Sequence, residues 1–176
     1  MAELPWPSPP LGDGVVRLRP WDAADAPEML AAFEDPTFQR FSDWAPTSEA
    51  AVLEHLTWLE AARRRGEQIG FAVADERVLG GASLYGFSEG RAGVGYWLAP
   101  QARGRGLASR AVGLLAAWAF AELGVARLEL TCGPDNVASQ RVAERCGFAR
   151  EGLLRSHLPF KGGRRDTVIY SLLPSD

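Results

Sequence analysis

Residues Gln101-Ala-Arg-Gly-Arg-Gly-Leu-Ala-Ser109 set two glycines, two arginines and a hydroxyl where an extended segment gives way to a long helical pattern. Glycine has no Cβ, so Gly104 and Gly106 allow a ligand to approach the backbone closely. The first N–H groups of a helix lack partners within it, and the helix dipole adds partial positive charge. An anion such as a phosphate suits that position. Arg103, Arg105 and Arg110 add formal charge nearby. Two glycines also serve a tight strand–helix turn, so the segment alone supports no more than an anion site. A Walker phosphate loop needs Gly-Lys-Ser/Thr, and the segment has no lysine. A dinucleotide fingerprint needs GxGxxG, and Ser109 stands in place of the third glycine.

A second group lies downstream at Asn136-x-x-Ser139. Asn136 suits a helix N-cap, and Ser139 brings a hydroxyl into the first turn. Of the two histidines, His157 follows the start of an extended segment at Ala149, and histidine as a residue type is suited to proton transfer at neutral pH, which makes it a candidate base. His55 sits in a helical pattern with no partner in view. Glu34, Asp43 and Glu89 can act through water, and nothing in the sequence ranks them. Cys132 and Cys146 lack CxxC spacing and neighbouring histidines, so they are expected to be buried thiols in a reducing compartment rather than metal ligands.

These residues must be positioned by regular elements. Val15-Val-Arg-Leu-Arg19 alternates as a strand, and Asp22 caps a helix carrying Met29, Leu30 and Phe33. Residues 35–47, punctuated by Pro36 and Pro46, form an aromatic loop or short helix. Ser48 caps a helix through Val52, Leu56 and Leu59 whose final turn, Ala61-Ala-Arg-Arg-Arg65, is expected to be solvated. Strands follow at 69–74, 78–85 and 93–98. Ala108, Val112, Leu115, Ala116, Ala119 and Leu123 then show amphipathic helical spacing that ends at Gly124. A strand at 127–132, a helix closed by Gly147, and a strand pair at 149–158 and 165–173 complete the chain. Hairpins and crossovers both occur, so the sheet should be mixed, in an α/β (α+β) fold.

A chain of 176 residues fits one domain. It divides into a proline-rich extended arm at 1–14 and a folded unit at 15–173. Hydrophobic residues make up 47% of the chain and charged ones 23%, a globular composition. The net charge of −3 argues against a broad nucleic-acid surface. No apolar run approaches the roughly 18–20 residues that span a membrane, and the start lacks the pattern of a secretory signal. A cytoplasmic protein is expected. Of the 19 basic residues only Lys161 is lysine, so positive charge arrives as planar guanidinium groups.

Leu98 followed by Gln101-x-x-Gly104-x-Gly106 resembles the coenzyme A signature of the GNAT N-acetyltransferase superfamily. Gly95-Tyr-Trp-Leu-Ala-Pro100, Pro134-Asp-Asn-Val-Ala-Ser139 and Gly147-Phe-Ala-Arg-Glu-Gly152 resemble the branch containing the ribosomal-protein N-terminal (alanine) acetyltransferases. The resemblance runs from about Val15 to Leu173 and implies a twisted sheet of six or seven strands flanked by about four helices. Its fourth and fifth strands, here 93–98 and 127–132, would splay to admit the pantetheine arm of acetyl-CoA. Backbone groups at Leu98 would meet the pantetheine amides, and N–H groups from Arg103, Gly104, Arg105, Gly106, Leu107 and Ala108 would hold the pyrophosphate, with Ser109 adding a hydroxyl. Many family members protonate the departing thiolate with a tyrosine on the helix after the fifth strand, but residues 136–146 contain none. Ser139 is the hydroxyl available there, and Asn136 would contact the pantetheine arm. The implied reaction is acetyl transfer to an amine without a metal, the favoured acceptor being a peptide or protein α-amine. A small amine, an amino acid, an antibiotic, or acyl-CoA binding without turnover remain open, and the family suggests a homodimer. The acceptor would lie between residues 33–58 and the terminal hairpin near 157–166.

Overall fold

The computed structural model describes residues 2–176. Eight strands form one sheet in the order β1 (Leu11–Gly12), β2 (Arg17–Arg19), β3 (Gln68–Ala74), β4 (Val78–Ser88), β5 (Arg91–Leu98), β6 (Arg127–Cys132), β8 (Gly163–Leu172), β7 (Ala149–Phe160). The β5–β6 pair is parallel and every other pair is antiparallel. The connections require this arrangement. Short turns join β3–β4, β4–β5 and β7–β8, while helix α4 (Leu107–Glu122) returns the chain from the end of β5 to the start of β6. The expected mixed α/β sheet is therefore present, with eight strands instead of six or seven. The additional one is Leu11–Gly12, only two residues long and set in a proline-rich stretch whose composition hides it.

Helices α1 (Ala26–Phe33), α2 (Pro36–Phe41) and α3 (Glu49–Arg64) gather on one face. The other face carries α4 and α5 (Val137–Arg145). The main core lies beneath α4, where Leu107, Ala111, Val112, Leu115 and Ala119 meet Phe71, Leu84, Val94, Leu128 and Leu130. Burying an aliphatic or aromatic side chain of this kind contributes about 1.5–3 kcal/mol. Caps stand where the residue types call for them. Ser48 Oγ accepts from Ala51 N–H, and Asn136 Oδ1 accepts from Ser139 N–H. Gly124 and Gly147 end their helices at φ +64° and +83°. Asp22 caps a short 3₁₀ turn, Ala23–Asp25, that leads into α1. Proline at the first position and the Asp35 carboxylate accepting from Phe38 N–H explain why Pro36–Phe41 is helical. It brings the α-helices among the described residues to five.

In the N-terminal region one feature goes beyond the sequence expectation and one departs from it. The arm is docked: Leu4 is buried, Trp6 packs edge-on against Phe71 at 5.3 Å, and Leu11–Gly12 pairs with Arg17 and Leu18. The Arg63–Arg65 turn is not uniformly solvated. Arg63 is only 6% exposed, donates to the Leu4 carbonyl, pairs with Glu3 and Glu60, and lies 5.0 Å from the Trp6 ring centroid. A guanidinium can spread its donors over several acceptors at once, so one arginine clamps the arm.

One interruption in this sheet creates the site. β5 and β6 pair only through Arg91–Gly93 and Arg127–Glu129, although β5 continues to Leu98 and β6 to Cys132. Beyond Gly93 the two strands part. On the α4–α5 face the gap is bordered by Val94, Tyr96, Leu98, Leu130 and Cys132. Trp97, of opposite parity, joins the α1–α3 cluster.

Candidate active site

A cleft of about 750 Å³ passes through this gap and opens on both faces of the sheet. Leu98, Gly104, Gly106, Leu107, Ala108, Ser109, Asn136 and Ser139 line its α4–α5 side. Phe38, Phe41, Trp44, His55, Tyr85 and Arg165 line the other. Arg105 and His157 are not among the lining residues.

At the start of α4, Gly104 and Gly106 both have left-handed φ, +74° and +75°. A Cβ at either would meet no protein atom within 4 Å. These glycines therefore turn the chain and keep their outer face open. Gly106 offers no side-chain cap, and the first helical bond there runs from Arg110 N–H to the Gly106 carbonyl. The N–H groups of Leu107, Ala108 and Ser109 thus point out of the helix end. Ser109 Oγ is buried and has no hydrogen-bond partner. An orphan hydroxyl, open N–H groups and exposed glycine faces fit a phosphorylated ligand with polar groups along its arm.

The arginines are used differently from the sequence expectation. Arg103 N–H bonds to the Pro100 carbonyl within the turn. Its Nε donates to the Leu98 carbonyl at 3.2 Å and its Nη2 to Asp35 at 2.7 Å. That guanidinium holds the Asp35 carboxyl below its usual pKa. Arg110 pairs with Asp13 at 2.6 Å. Both side chains are thus engaged within the protein, and the Leu98 carbonyl already has one donor. Arg141 and Arg145 of α5 line the cleft and supply positive charge that the sequence reading did not assign.

Midway through the gap, Tyr96 of β5 reaches Ser139 of α5, with Oη and Oγ 2.8 Å apart. Burial pushes the Tyr96 phenol well above its ordinary pKa, against the opposing effect of the Ser139 bond. Tyr96 therefore remains a protonated donor at neutral pH. Burial raises the thiol pKa of Cys132, at the end of β6. A tyrosine is thus present at the centre of the cleft, contributed by β5 and not by the helix after β6. The alternation that places Val94 and Leu98 on the α5 side also places Tyr96 there. That parity was the available signal. Asn136 lines the cleft too; its Oδ1 is spent on the Ser139 N–H, leaving its amide NH₂ without a partner among the described residues.

On the opposite face His55 lies between Trp44, 4.3 Å away between centroids, and Trp58 at 5.7 Å. Burial lowers its pKa from 6.5 and favours neutral imidazole. His157 is elsewhere, on β7; its carbonyl accepts from Arg164, its Nδ1 is buried without a partner, and it does not enter the cleft. Glu34, Asp43 and Glu89 do not line the cleft either. Asp43 instead accepts from the Lys161 N–H, while Lys161 Nζ donates to the Gln39 carbonyl, docking the β7–β8 turn on α2. Among the described residues no group of three or more His, Cys, Asp or Glu could hold a metal ion. Among the described residues no helix is long and apolar enough to cross a membrane.

The family model described as "Acetyltransferase (GNAT) domain" matches residues 16–149, which contain the split strands, the α4 start and Ser139. The chain belongs to the GNAT acetyltransferase family. Among curated proteins it is 28% identical to the "Probable N-acetyltransferase YjcK" of Bacillus subtilis, over 92% of this chain and 95% of that protein. Among solved structures it resembles a "putative ribosomal-protein-serine acetyltransferase from Vibrio cholerae", with a TM-score of 0.85 and 26% identity, covering 96% and 99% of the two chains. Mycobacterium smegmatis RimJ, solved in complex with CoA-disulfide, shares the fold at a TM-score of 0.85 and 24% identity over 94% and 86% of the chains. The GNAT fold accounts for the parted strands, and acetyl-CoA is the co-substrate of this acetyltransferase.

Proposed function

We propose that this acetyltransferase moves an acetyl group from acetyl-CoA to the N-terminal α-amine of a protein or peptide. The observation carrying this reading is the cleft that runs through the β5–β6 gap, from the open start of α4 to an aromatic groove on the opposite face. Donor and acceptor approach from opposite faces and meet beside Tyr96 and Ser139. Bringing reactants together in this way can supply a large part of an acyl-transfer rate. Acceptance of an N-terminal amine is supported by the groove's open mouth and by the ribosomal-protein description of the Vibrio cholerae relative.

In this reading the N–H groups from Gly104 to Ala108 and the Ser109 hydroxyl bind the pyrophosphate end of the donor, while the Asn136 amide holds its arm. Backbone N–H groups of β5 beyond Gly93, with no β6 partner, polarise the carbonyl. The Tyr96–Ser139 pair delivers a proton to the departing sulfur, Ser139 giving its proton to the thiolate and regaining one from Tyr96, whose phenol is reprotonated from solvent through the open cleft before the next turnover. Among the described residues no Asp or Glu side chain lines the cleft. His55, kept neutral by burial, receives the amine's proton through water. Thiol release from acetyl-CoA, measured against unblocked peptides, the same peptides with blocked N-termini, and small amines, tests the assignment. Turnover confined to small amines would reject it.

A further inference from the structure

We infer that Arg165 selects acceptors bearing a carboxylate close to the reacting amine. This inference rests on the groove above being the acceptor side. Arg165 stands on β8 opposite Leu158 of β7 and lines the cleft on the Phe38–Trp44 face. Its guanidinium carbon lies 4.4 Å from the Phe160 ring centroid, and its Nη1 donates to the Phe41 carbonyl at 3.3 Å. Stacking and that single hydrogen bond set the plane of the fork in advance. Its Nε is buried without a partner, and among the described residues no carboxylate comes within ion-pair distance.

This leaves Arg165 with a charge that the protein does not neutralise. Arg103, in the same cleft, has Asp35 against it. Among the described residues Arg165 has no such partner, and no Asp or Glu lines the cleft. A partly buried cation with unused donors is costly unless an anion reaches it. A guanidinium fixed in orientation matches a carboxylate through two parallel hydrogen bonds, with little ordering cost left at binding. The same charge disfavours acceptors rich in lysine or arginine. The carboxylate can belong to an acidic side chain at the first or second position of a peptide, or be the α-carboxylate of a free amino acid.

The test compares kcat/KM for matched acceptors in the wild-type enzyme: peptides beginning Ser-Asp against Ser-Asn, and free amino acids against their α-amides. A preference of about tenfold or more for the acid is expected, the scale of a hydrogen bond to a charged group. The arm in which it appears identifies the source of the carboxylate. Arg165→Gln should bring the ratio near unity mainly through KM, Arg165→Lys should retain part of it, and Arg165→Glu should reverse it toward a Ser-Lys peptide. Equal wild-type rates for acid and amide would overturn the inference, as would a preference that survives Arg165→Gln. Coenzyme A binding by calorimetry reports the integrity of each variant, and the wild-type comparison needs no variant. If coenzyme A binds but no peptide or amino acid is acetylated, the peptide-amine reading falls and this one falls with it. That outcome differs from indifference to charge.

Discussion

Replacing Tyr96 with phenylalanine removes one oxygen from the centre of the cleft and leaves the ring. The structure gives two separable magnitudes for the change. As a packing and hydrogen-bonding loss, the 2.8 Å contact with Ser139 contributes about 0.5–1.5 kcal/mol net. In a chain of this size about 1 kcal/mol shifts Tm by roughly 2–4 °C. As a proton donor acting with Ser139, the pair is worth about 10²–10⁴ in rate, or about 3–5 kcal/mol at 1.36 kcal/mol per decade. The assay is kcat from thiol release at saturating acetyl-CoA and acceptor, alongside a thermal melt of each protein. Tyr96→Phe and Ser139→Ala should each lower kcat by at least about a hundredfold while Tm falls only a few degrees. The double variant should be little worse than the worse single one, because the two hydroxyls act as a unit. A kcat within about threefold of wild type, together with the expected fall in Tm, would refute the proton-delivery role and leave the pair as a structural contact.

Gly106→Ala places a Cβ in open space at φ +75°, so no clash is created and the cost is conformational, about 1–2 kcal/mol. Tm should fall modestly and the Kd for coenzyme A should rise at least about tenfold by calorimetry; an unchanged Kd would remove the α4 start from donor binding. His55 must be neutral to accept a proton, and burial lowers its pKa from 6.5, so wild-type activity should fall only as pH drops below that value. His55→Gln should lose that acidic limb, and a pH–rate profile that keeps it would exonerate the imidazole. Asp13 is held at about 2, below its usual 3.8, first by the Val16 N–H and then by Arg110. Its carboxylate therefore stabilises the docked arm above about pH 4 and loses that effect as pH falls through about 2. The stability deficit of Asp13→Asn, measured by denaturant unfolding, should be present near neutrality and shrink on acidification.

Local patterns in the sequence carry most of this architecture. Alternation, helical spacing and capping residues at Ser48, Asn136, Gly124 and Gly147 reflect short-range physics, so they can be read without the fold. The two-residue strand at Leu11–Gly12 exists because its partner Arg17–Arg19 lies beside it, and no local preference announces it. The same reason separates the legible from the hidden in the site. Gly104 and Gly106 adopt left-handed φ that their residue type invites. Arg103 and Arg110, by contrast, find carboxylates 68 and 97 residues away in sequence, which spacing cannot reveal. Tyr96 meets Ser139 across 43 residues and a gap between strands. His157 is of a residue type that often serves as a base, but β7 carries it away from the cleft. Arg63 reads as one of three solvated arginines until the arm is seen packed against it.

Transfer of acetyl from acetyl-CoA to a peptide α-amine through this cleft is the proposed reaction. Its most direct test incubates the enzyme with acetyl-CoA and a peptide carrying both a free N-terminus and an internal lysine, then locates the product by fragment mass spectrometry while thiol release is counted. One acetyl group per released thiol is expected, placed on the α-amine, with no product from the N-terminally blocked peptide. Acetylation of the lysine alone, or thiol release without peptide modification, would contradict it.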